Sequence, residues 1–431
     1  MSPLTVSTKL AQIAKQSEQN PTRVFTTLAH LMDEDFLTEA FTQLRKDAAA
    51  GIDEVTAVEY AVNLGSHIKD LHRRMTQGEY RARPARRVWI PKSDGGQRPL
   101  AILVLEDKIV QRAVAMILEA LYERHFYDFS CGFRRHYSAH TALIQLRQQC
   151  LKLGINWIID ADIRKFFDTI SWEQLRLILQ RRMNDGAILR LIGMWLHVGV
   201  LENGQQEHQE LGTPQGAPIS PILANVFLHA VLDEWFHSVV QPRMKGNCFL
   251  VRYADDFVMG FSIKGEAEAV YWVLPKRFAR FGLSIHPEKS RMVQFSRPFG
   301  RHGKGPGSFT FLGFTHHWAK TRQGGWTIKR KTNGKRLSRF LSGISEWCKE
   351  NLHEPLAFQY RMLSAKLRGH YQYYGVRGNF KMLEVAYEHT RVMWKKWLGR
   401  RNSKNRMSWD RFAKQMEGGY PLPLPQIMHV F

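Results

Sequence analysis

The chain has 431 residues, a formal net charge of +23 and a sequence pI near 10.0. Its 44% hydrophobic and 12% aromatic content supplies a sizeable apolar core and excludes a disordered basic tail. So large a positive charge on a folded chain indicates a polyanionic partner, most simply nucleic acid, with an anionic membrane surface as the competing interpretation.

Several cellular settings can be set aside from the residues alone. The longest apolar run, residues 187–201, carries Arg190 and is shorter than the roughly 18 uncharged residues of a transmembrane helix. The N-terminal 19 residues contain no apolar segment of the kind found in secretory signals. The four cysteines show no CxxC spacing, which argues against a disulfide framework or a cysteine zinc site. We therefore expect a cytoplasmic protein.

The N-terminal third is predicted to be largely helical. Residues 1–60 are helical with a break at Ala50-Gly51-Ile52-Asp53, and a basic stretch then leads into a strand around residues 88–90. Apolar residues recur at helical spacing between positions 106 and 122 and predict a long helix there. They are Ile109, Val110, Val114, Ile117, Leu118 and Leu121.

The middle of the chain alternates strands and helices. Residues 157–163 predict a buried strand, and Ser171-Trp172-Glu173-Gln174 has the capping-box pattern of a helix start. Ser220-Pro221 predicts a second helix, with serine as N-cap and proline as the first helical residue. Two apolar runs, 248–253 and 257–261, predict a hairpin with acidic residues at its tip.

The C-terminal part has a different character. After a glycine-rich linker at 300–307, amphipathic patterns predict helices at 336–352, 356–374 and 380–398. Residues 318–406 hold 21 Lys and Arg against 5 Asp and Glu, interleaved with tryptophan and tyrosine. This mixture fits a surface that binds phosphates and stacks on sugars or bases. The chain is thus predicted to be an α+β catalytic body with a helical appendage.

Two acidic groups stand in apolar surroundings. Asp160 and Asp162 end one strand, and Asp255 and Asp256 lie at the hairpin tip. Carboxylates that converge from strand ends hold two divalent cations about 4 Å apart, which suits displacement at phosphorus. The alternative for the tip is an ordinary hairpin turn. Asp168, just before the capping box, is predicted to have only a turn or capping role.

The hairpin tip also carries a family resemblance. Tyr253-Ala254-Asp255-Asp256 resembles the YxDD motif of reverse transcriptases, in the alanine form typical of group II intron-encoded proteins. Other segments resemble the remaining family motifs in the expected order. They are Gly51-Ile52-Asp53, Ile90-Pro91-Lys92 with Gln97-Arg98-Pro99-Leu100, Ser130-Cys131-Gly132-Phe133-Arg134, Asp160-Ala161-Asp162-Ile163, Gly212-Thr213-Pro214-Gln215-Gly216, His286-Pro287-Glu288-Lys289, Phe311-Leu312-Gly313-Phe314 and Leu367-Arg368-Gly369-His370-Tyr371-Gln372-Tyr373-Tyr374-Gly375.

The resemblance implies a right-hand polymerase with an antiparallel palm sheet. It assigns residues 1–60 to an N-terminal helical extension and 61–315 to fingers and palm. Residues 316–400 would be a helical thumb or maturase domain, and 401–431 a short basic tail, a DNA-binding remnant. The implied reaction is RNA-templated addition of dNTPs to a primer 3′-hydroxyl by two-Mg²⁺ phosphoryl transfer, with Mn²⁺ as a substitute.

The resemblance also assigns individual roles. Asp162, Asp255 and Asp256 would be the catalytic carboxylates, with the Ile163 carbonyl as a further metal ligand. Asp160 and Asp162 share a strand face, so spacing alone does not choose between them, and the family pattern selects Asp162. The implied substrate-binding residues are Lys92 and Arg98 on the triphosphate, Gln215 in the nucleotide pocket, Phe167 as a steric gate against ribose, and Lys289 as a proton donor to pyrophosphate. A core phenylalanine and a surface lysine are the alternatives for the last two.

The implied partners are group II intron RNA, an RNA template with a DNA primer, dNTPs and target DNA. The implied setting is a bacterial cytoplasm, with nucleoid association when bound to DNA and no membrane attachment. The paired cysteines and His-rich zinc motif of an HNH endonuclease are absent from these residues, so we expect no endonuclease domain. Two departures from the family pattern are Arg135-His136-Tyr137 and Glu54. A splicing-only RNA-binding maturase and a reverse transcriptase domesticated for defence or DNA repair remain as alternatives.

Overall fold

A computed structural model describes residues 5–91, 96–202, 205–207, 211–299, 307–401 and 407–431. Lys92 and residues 300–306 of the predicted linker lie outside the described residues. Every other candidate site residue is described.

Helices make up most of the regular structure. They are α1 (Val6–Gln19), α2 (Glu34–Thr42), α3 (Ala57–Val62), α4 (Leu64–Thr76), α5 (Leu105–Tyr122), α6 (Ala139–Lys152), α7 (Phe166–Thr169), α8 (Trp172–Gln180), α9 (Gly186–His197), α10 (Ser220–Leu228), α11 (Lys264–Ala279), α12 (Gly334–Glu350), α13 (Leu356–Tyr374), α14 (Phe380–Leu398) and α15 (Trp409–Glu417). Beyond α10 the helix continues through π-helical turns at His229–Asp233 and Phe236–Val240.

The strands form three sheets. They are β1 (Ala85–Pro91), β2 (Gln97–Ile102), β3 (Trp157–Ala161), β4 (Val200–Glu202), β5 (Gln205–Glu207), β6 (Cys248–Tyr253), β7 (Asp256–Phe261), β8 (Arg291–Gln294), β9 (Phe309–Phe311), β10 (Phe314–Lys320) and β11 (Trp326–Thr332). Their orders are β2-β1-β4-β5, β6-β7-β3-β8 and β11-β10-β9. The pairings β1–β2, β4–β5, β9–β10 and β10–β11 are antiparallel, whereas β1 and β4 run parallel. The mixed α and β composition predicted from the sequence is confirmed.

The chain folds into two compact units. Unit 1 comprises Met1–Ala142, Ala161–Met259 and Gly265–Arg291. Its core is built around α5, which packs against α1, α2 and α10. The six apolar residues predicted for this helix are all fully buried, so the periodicity identified the core face.

Unit 2 comprises Leu143–Asp160, Gly260–Lys264 and Met292–Phe431. The three helices predicted at 336–352, 356–374 and 380–398 are α12, α13 and α14, within two residues at each end. They enclose an apolar core to which Phe412 and Leu422 also contribute. The Phe412 ring lies edge-on to Trp394 at 5.7 Å. Residues 407–431 thus pack against the helices, and their contact with nucleic acid stays a prediction.

One predicted helix start is wrong in detail. The N-cap of α10 is Ile219, so Ser220 is the first helical residue and Pro221 follows it. The Ser220 hydroxyl instead donates to the Pro214 carbonyl oxygen at 2.9 Å. The serine therefore stabilises the preceding turn rather than the helix N-terminus. Within the described part of the chain, no helix is long and apolar enough to cross a membrane.

A buried histidine makes unit 2 sensitive to acid. His370 lies against Phe340 and Tyr374, with ring centroids 4.2 and 4.8 Å away, and burial lowers its pKa from 6.5 to about 4. As the pH falls, His370 therefore becomes protonated in the unfolded chain at a higher pH than in the folded chain. Stability present above pH 6.5 is therefore lost as the pH falls towards 4, by up to about 3 kcal/mol from this group.

We expect His370→Phe, which keeps an aromatic ring, to flatten the pH dependence of urea unfolding between pH 7 and pH 4.5. His316, whose pKa burial lowers to about 3, retains its own share of that dependence. The exposed His353 provides the matched control His353→Gln. A slope unchanged in His370→Phe would contradict this assignment.

Candidate active site

The hairpin between β6 and β7 turns through a left-handed residue. Ala254 has φ +57°, a conformation that costs a non-glycine residue about 1 kcal/mol. Asp255 follows it, and Asp256 is the first residue of β7. Both carboxylates therefore lie at the tip predicted from the sequence.

A neighbouring segment braces this hairpin. The Arg252 amide donates to the Phe129 carbonyl, and the Cys131 amide donates to the Arg252 carbonyl, both at 2.8 Å. The next residue, Gly132, lies so close to the turn that a Cβ there would be 2.1 Å from the Ala254 nitrogen. Only glycine fits at this position, because the obstacle is backbone.

Asp162 follows directly after β3 and is held through its backbone. Its amide donates to the Ser290 hydroxyl at 3.1 Å, and its carbonyl accepts from the His286 amide at 2.8 Å. Ile163, the next residue, pairs with Ile285 in an antiparallel bridge. The segment from His286 to Ser290 therefore fixes the backbone position of Asp162, from which its carboxylate side chain extends.

Lys289 lies beside this carboxylate. Its Nζ is 3.6 Å from Asp162 Oδ2, and the two side chains are 57% and 41% exposed. An ion pair this open to water contributes little to stability. The contact places Lys289 at the predicted site, while its role as a proton donor stays a prediction.

The electrostatics link Asp162 to Asp255. Burial raises the pKa of the Asp255 carboxyl, and the Asp162 charge raises it further, against the opposing charges of Arg98 and Arg252. Residues far apart in the chain are thus brought close enough to repel each other. A divalent cation is the partner that would relieve this repulsion.

The donor set fits magnesium without forming a closed cage. Within the described part of the chain, no three carboxylate, histidine or cysteine side chains are grouped tightly enough to enclose a metal ion. Mg²⁺ does not need such a cage, since it keeps several waters and takes one or two carboxylates plus substrate phosphates. Asp162 and Asp255 are hard oxygen donors of the required kind.

A chain of hydrogen bonds joins two of the residues that the resemblance assigns to nucleotide binding. Arg98 in β2 donates from Nε to Gln215 Oε1 at 2.7 Å, and Gln215 Nε2 donates to Asp168 Oδ1 at 2.9 Å. The Ala101 amide donates to the Gln215 carbonyl at 2.7 Å. Arg98 and Gln215 therefore lie together, and Asp168 orients the Gln215 amide, while their roles in nucleotide binding stay predictions.

Asp168 corrects one prediction. It lies in α7 and accepts from Gln215, so its part is more than the turn or capping role expected from its position before Ser171. No spacing rule links residues so far apart in the chain. Ser290 and Arg252 were also missed by the sequence analysis, for the same reason.

Phe166 and Phe167 are adjacent in the chain but differ in burial. Phe166 is buried, whereas Phe167 is half-buried and contacts it edge-on at 5.3 Å. The Phe167 carbonyl accepts from the Thr213 amide at 2.7 Å. Gly212, with φ +91°, passes so close that a Cβ would be 2.7 Å from that oxygen. The core position is therefore Phe166, and Phe167 is the ring left accessible.

Strand-end carboxylates next to an arginine are groups with which nucleotidyltransferases hold cations and phosphates. Residues 90–316 match the family described as reverse transcriptase (RNA-dependent DNA polymerase). The chain therefore belongs to the reverse transcriptase family, whose members generally depend on divalent metal ions.

Three individual proteins are similar to parts of this chain. The chain is 36% identical over 241 residues to group II intron-encoded protein LtrA of Lactococcus lactis subsp. cremoris, covering 55% of this chain and 39% of LtrA. It is 32% identical over 249 residues to protein YkfC of Escherichia coli K12, covering 51% and 65%. A putative COX1/OXI3 intron 2 protein of Saccharomyces cerevisiae is 37% identical over 177 residues, covering 40% and 20%. The chain thus spans less than two thirds of each of these relatives.

Proposed function

We propose that this protein is an RNA-directed DNA polymerase that extends a primer 3′-hydroxyl with dNTPs. The observation that carries the proposal is the match of residues 90–316 to the reverse transcriptase family, in a chain where the charges of Asp162 and Arg98 both act on the Asp255 carboxyl. An ordinary hairpin turn would not bring a second strand-end carboxylate and an arginine to the same place.

The reaction exchanges a phosphoanhydride bond of the dNTP for a phosphodiester bond to the primer. The primer 3′-oxygen attacks the α-phosphorus of the dNTP, the α–β anhydride bond breaks to release pyrophosphate, and the hydroxyl proton passes to water. Two Mg²⁺ ions, held by Asp162, Asp255, Asp256 and the Ile163 carbonyl, would supply activation of the hydroxyl and stabilisation of the leaving oxygen. Mn²⁺ would substitute for them.

Side chains of the protein bind and orient the nucleotide. Arg98 binds the triphosphate with its planar fork and Lys92 with a point charge. Gln215 lines the pocket, and its amide keeps one orientation because Asp168 accepts from Nε2. Lys289, next to Asp162, donates a proton to the departing pyrophosphate.

We assign the parts of a right hand to the chain as the resemblance implies. Residues 61–315 form fingers and palm, residues 316–400 form the thumb or maturase domain, and 1–60 form an N-terminal extension. The fold of α12, α13 and α14 into one apolar core supports a helical thumb. Residues 401–431 would be a short basic tail, a DNA-binding remnant.

Phe167 is expected to exclude ribonucleotides. In Phe167→Ala the space beside the sugar opens, and the preference for dATP over ATP should fall by about 10-fold or more. Single-nucleotide insertion on one template–primer, measured as kcat/KM for each substrate, gives the ratio. Phe299→Ala, at a phenylalanine that is 98% exposed, serves as the control and should leave the ratio unchanged. An unchanged ratio in Phe167→Ala would assign that ring to packing alone.

The proposed partners are group II intron RNA, an RNA template with its DNA primer, and target DNA. Similarity to group II intron-encoded protein LtrA and to a putative COX1/OXI3 intron 2 protein supports the intron RNA. Binding would stabilise the folded intron and promote its splicing and mobility in a bacterial cytoplasm. The carboxylate pair speaks against a splicing-only maturase, which would not need it.

Primer extension tests the proposal. The protein is incubated with a DNA primer annealed to an RNA template, dNTPs and Mg²⁺, and the products are resolved by length. We expect extension to the template end that requires the metal ion. Failure to extend in both Mg²⁺ and Mn²⁺ would overturn the enzymatic proposal and leave the RNA-binding role.

A further inference from the structure

The buried arginine that precedes the hairpin tip has no part in the mechanism above. We propose that Arg252, paired with Asp233, is a positioning residue that sets the Ala254–Asp255 peptide and thereby aims the Asp255 carboxylate. This inference rests on the proposed polymerase function and names a determinant of its rate.

Every N–H of the Arg252 guanidinium has an acceptor. Nε donates to Asp233 Oδ1 at 2.8 Å, and Nη2 donates to Asp233 Oδ2 at 2.5 Å and to Ser130 Oγ at 2.7 Å. Nη1 donates to Asn225 Oδ1 at 3.1 Å and to the Ala254 carbonyl at 3.0 Å. The side chains of Arg252 and Asp233 are both fully buried. A guanidinium with all five donors used has a single orientation.

The bond to Ala254 is the one that bears on catalysis. This carbonyl belongs to the peptide bond that joins Ala254 to Asp255. Ala254 has a left-handed backbone conformation, which alanine adopts only when its surroundings hold it there. Asn225, which accepts from Arg252, also donates from Nδ2 to the Gly132 carbonyl at 2.7 Å. One cluster thus holds the turn and the segment packed against it.

Lysine could not replace arginine here. An ammonium is a compact charge with three donors and no planar fork, so it cannot reach the acceptors on four residues together. Asp233 neutralises the buried charge, and removing either partner alone would leave an uncompensated ion that strongly destabilises the fold. Because Arg252 is buried, it acts on the reaction through Asp255 and does not contact the nucleotide.

The experiment removes both charges at once. The double variant Arg252→Met with Asp233→Leu replaces the pair by apolar side chains, an exchange that folded proteins often tolerate. Pre-steady-state insertion of one dNTP on an RNA-templated primer yields a burst amplitude, which counts active sites, and a rate constant for those sites. Arg277→Lys is the matched control, because Arg277 donates to the Ala230 and Val231 carbonyls and to no atom of the turn.

We expect the double variant to keep most of its burst amplitude while the rate constant falls about 100-fold, as for a reacting group displaced by about 1 Å. The KM for dNTP should change little, and Arg277→Lys should match the wild type. A lower amplitude with an unchanged rate constant would show a merely structural role and overturn the inference. Absence of extension by the wild type would instead overturn the proposed function.

Discussion

Replacing Asp255 by asparagine is expected to abolish primer extension while leaving the protein folded and able to bind RNA. Asparagine keeps the size of the side chain but removes the charge that holds a divalent cation. Loss of that stabilisation, worth several kcal/mol, corresponds to a fall in rate of about 1,000-fold or more. Asp162→Asn should have the same effect, since both carboxylates are proposed to hold the two metal ions.

A surface carboxylate provides the comparison for these variants. Asp35, exposed in the first turn of α2, gives Asp35→Asn, which should extend primers at the wild-type rate. Because the Asp255 and Asp162 charges repel in the folded protein, neither substitution is expected to lower stability. Extension by Asp255→Asn within 10-fold of the wild type would remove this carboxylate from the catalytic set.

Adding one methyl group at Gly132 is expected to be nearly as damaging. A Cβ there would meet the Ala254 nitrogen at 2.1 Å and the Ala254 Cα at 2.9 Å, so the hairpin backbone must move. A displacement of about 1 Å at the proposed catalytic carboxylate, Asp255, is expected to lower the rate by about 100-fold. Overpacking of this kind also costs about 1–3 kcal/mol of stability.

A control variant at a glycine without close neighbours shows whether a loss of rate or of stability comes from the close contact at Gly132. Gly193 lies inside α9, and a Cβ there would meet nothing within 4 Å. Gly193→Ala should therefore keep full activity and gain up to about 1 kcal/mol of stability from better helix propensity. Thermal unfolding and single-nucleotide insertion are measured on both variants. Full activity in Gly132→Ala would show that the turn tolerates displacement.

Local patterns in the sequence were sufficient to predict much of the fold. The apolar period identified the buried face of α5, and the helical repeats located α12, α13 and α14. Ser171 caps α8 as its motif predicts, accepting from the Gln174 amide. Each of these features depends on residues within a few positions of each other, where helix and strand geometry fixes what faces what.

The site was only partly predictable, because its supporting contacts join distant residues. The acids at the strand ends were predicted from their motifs, but the bond from Gln215 to Asp168 and the pair of Arg252 with Asp233 follow no sequence spacing. Ser220 illustrates the same limit at short range. Its hydroxyl could have capped α10 or bonded to the preceding turn, and in the structure it donates to the Pro214 carbonyl of that turn.

The most direct measurement compares single-nucleotide insertion by the wild type and by Asp255→Asn, with binding of the same RNA-templated primer measured in each sample. We expect both proteins to bind the duplex equally and only the wild type to insert the complementary dNTP when Mg²⁺ is present. Insertion by both proteins would contradict catalysis by the Asp255 carboxylate. Insertion by neither would contradict the assignment of this site to RNA-directed DNA synthesis.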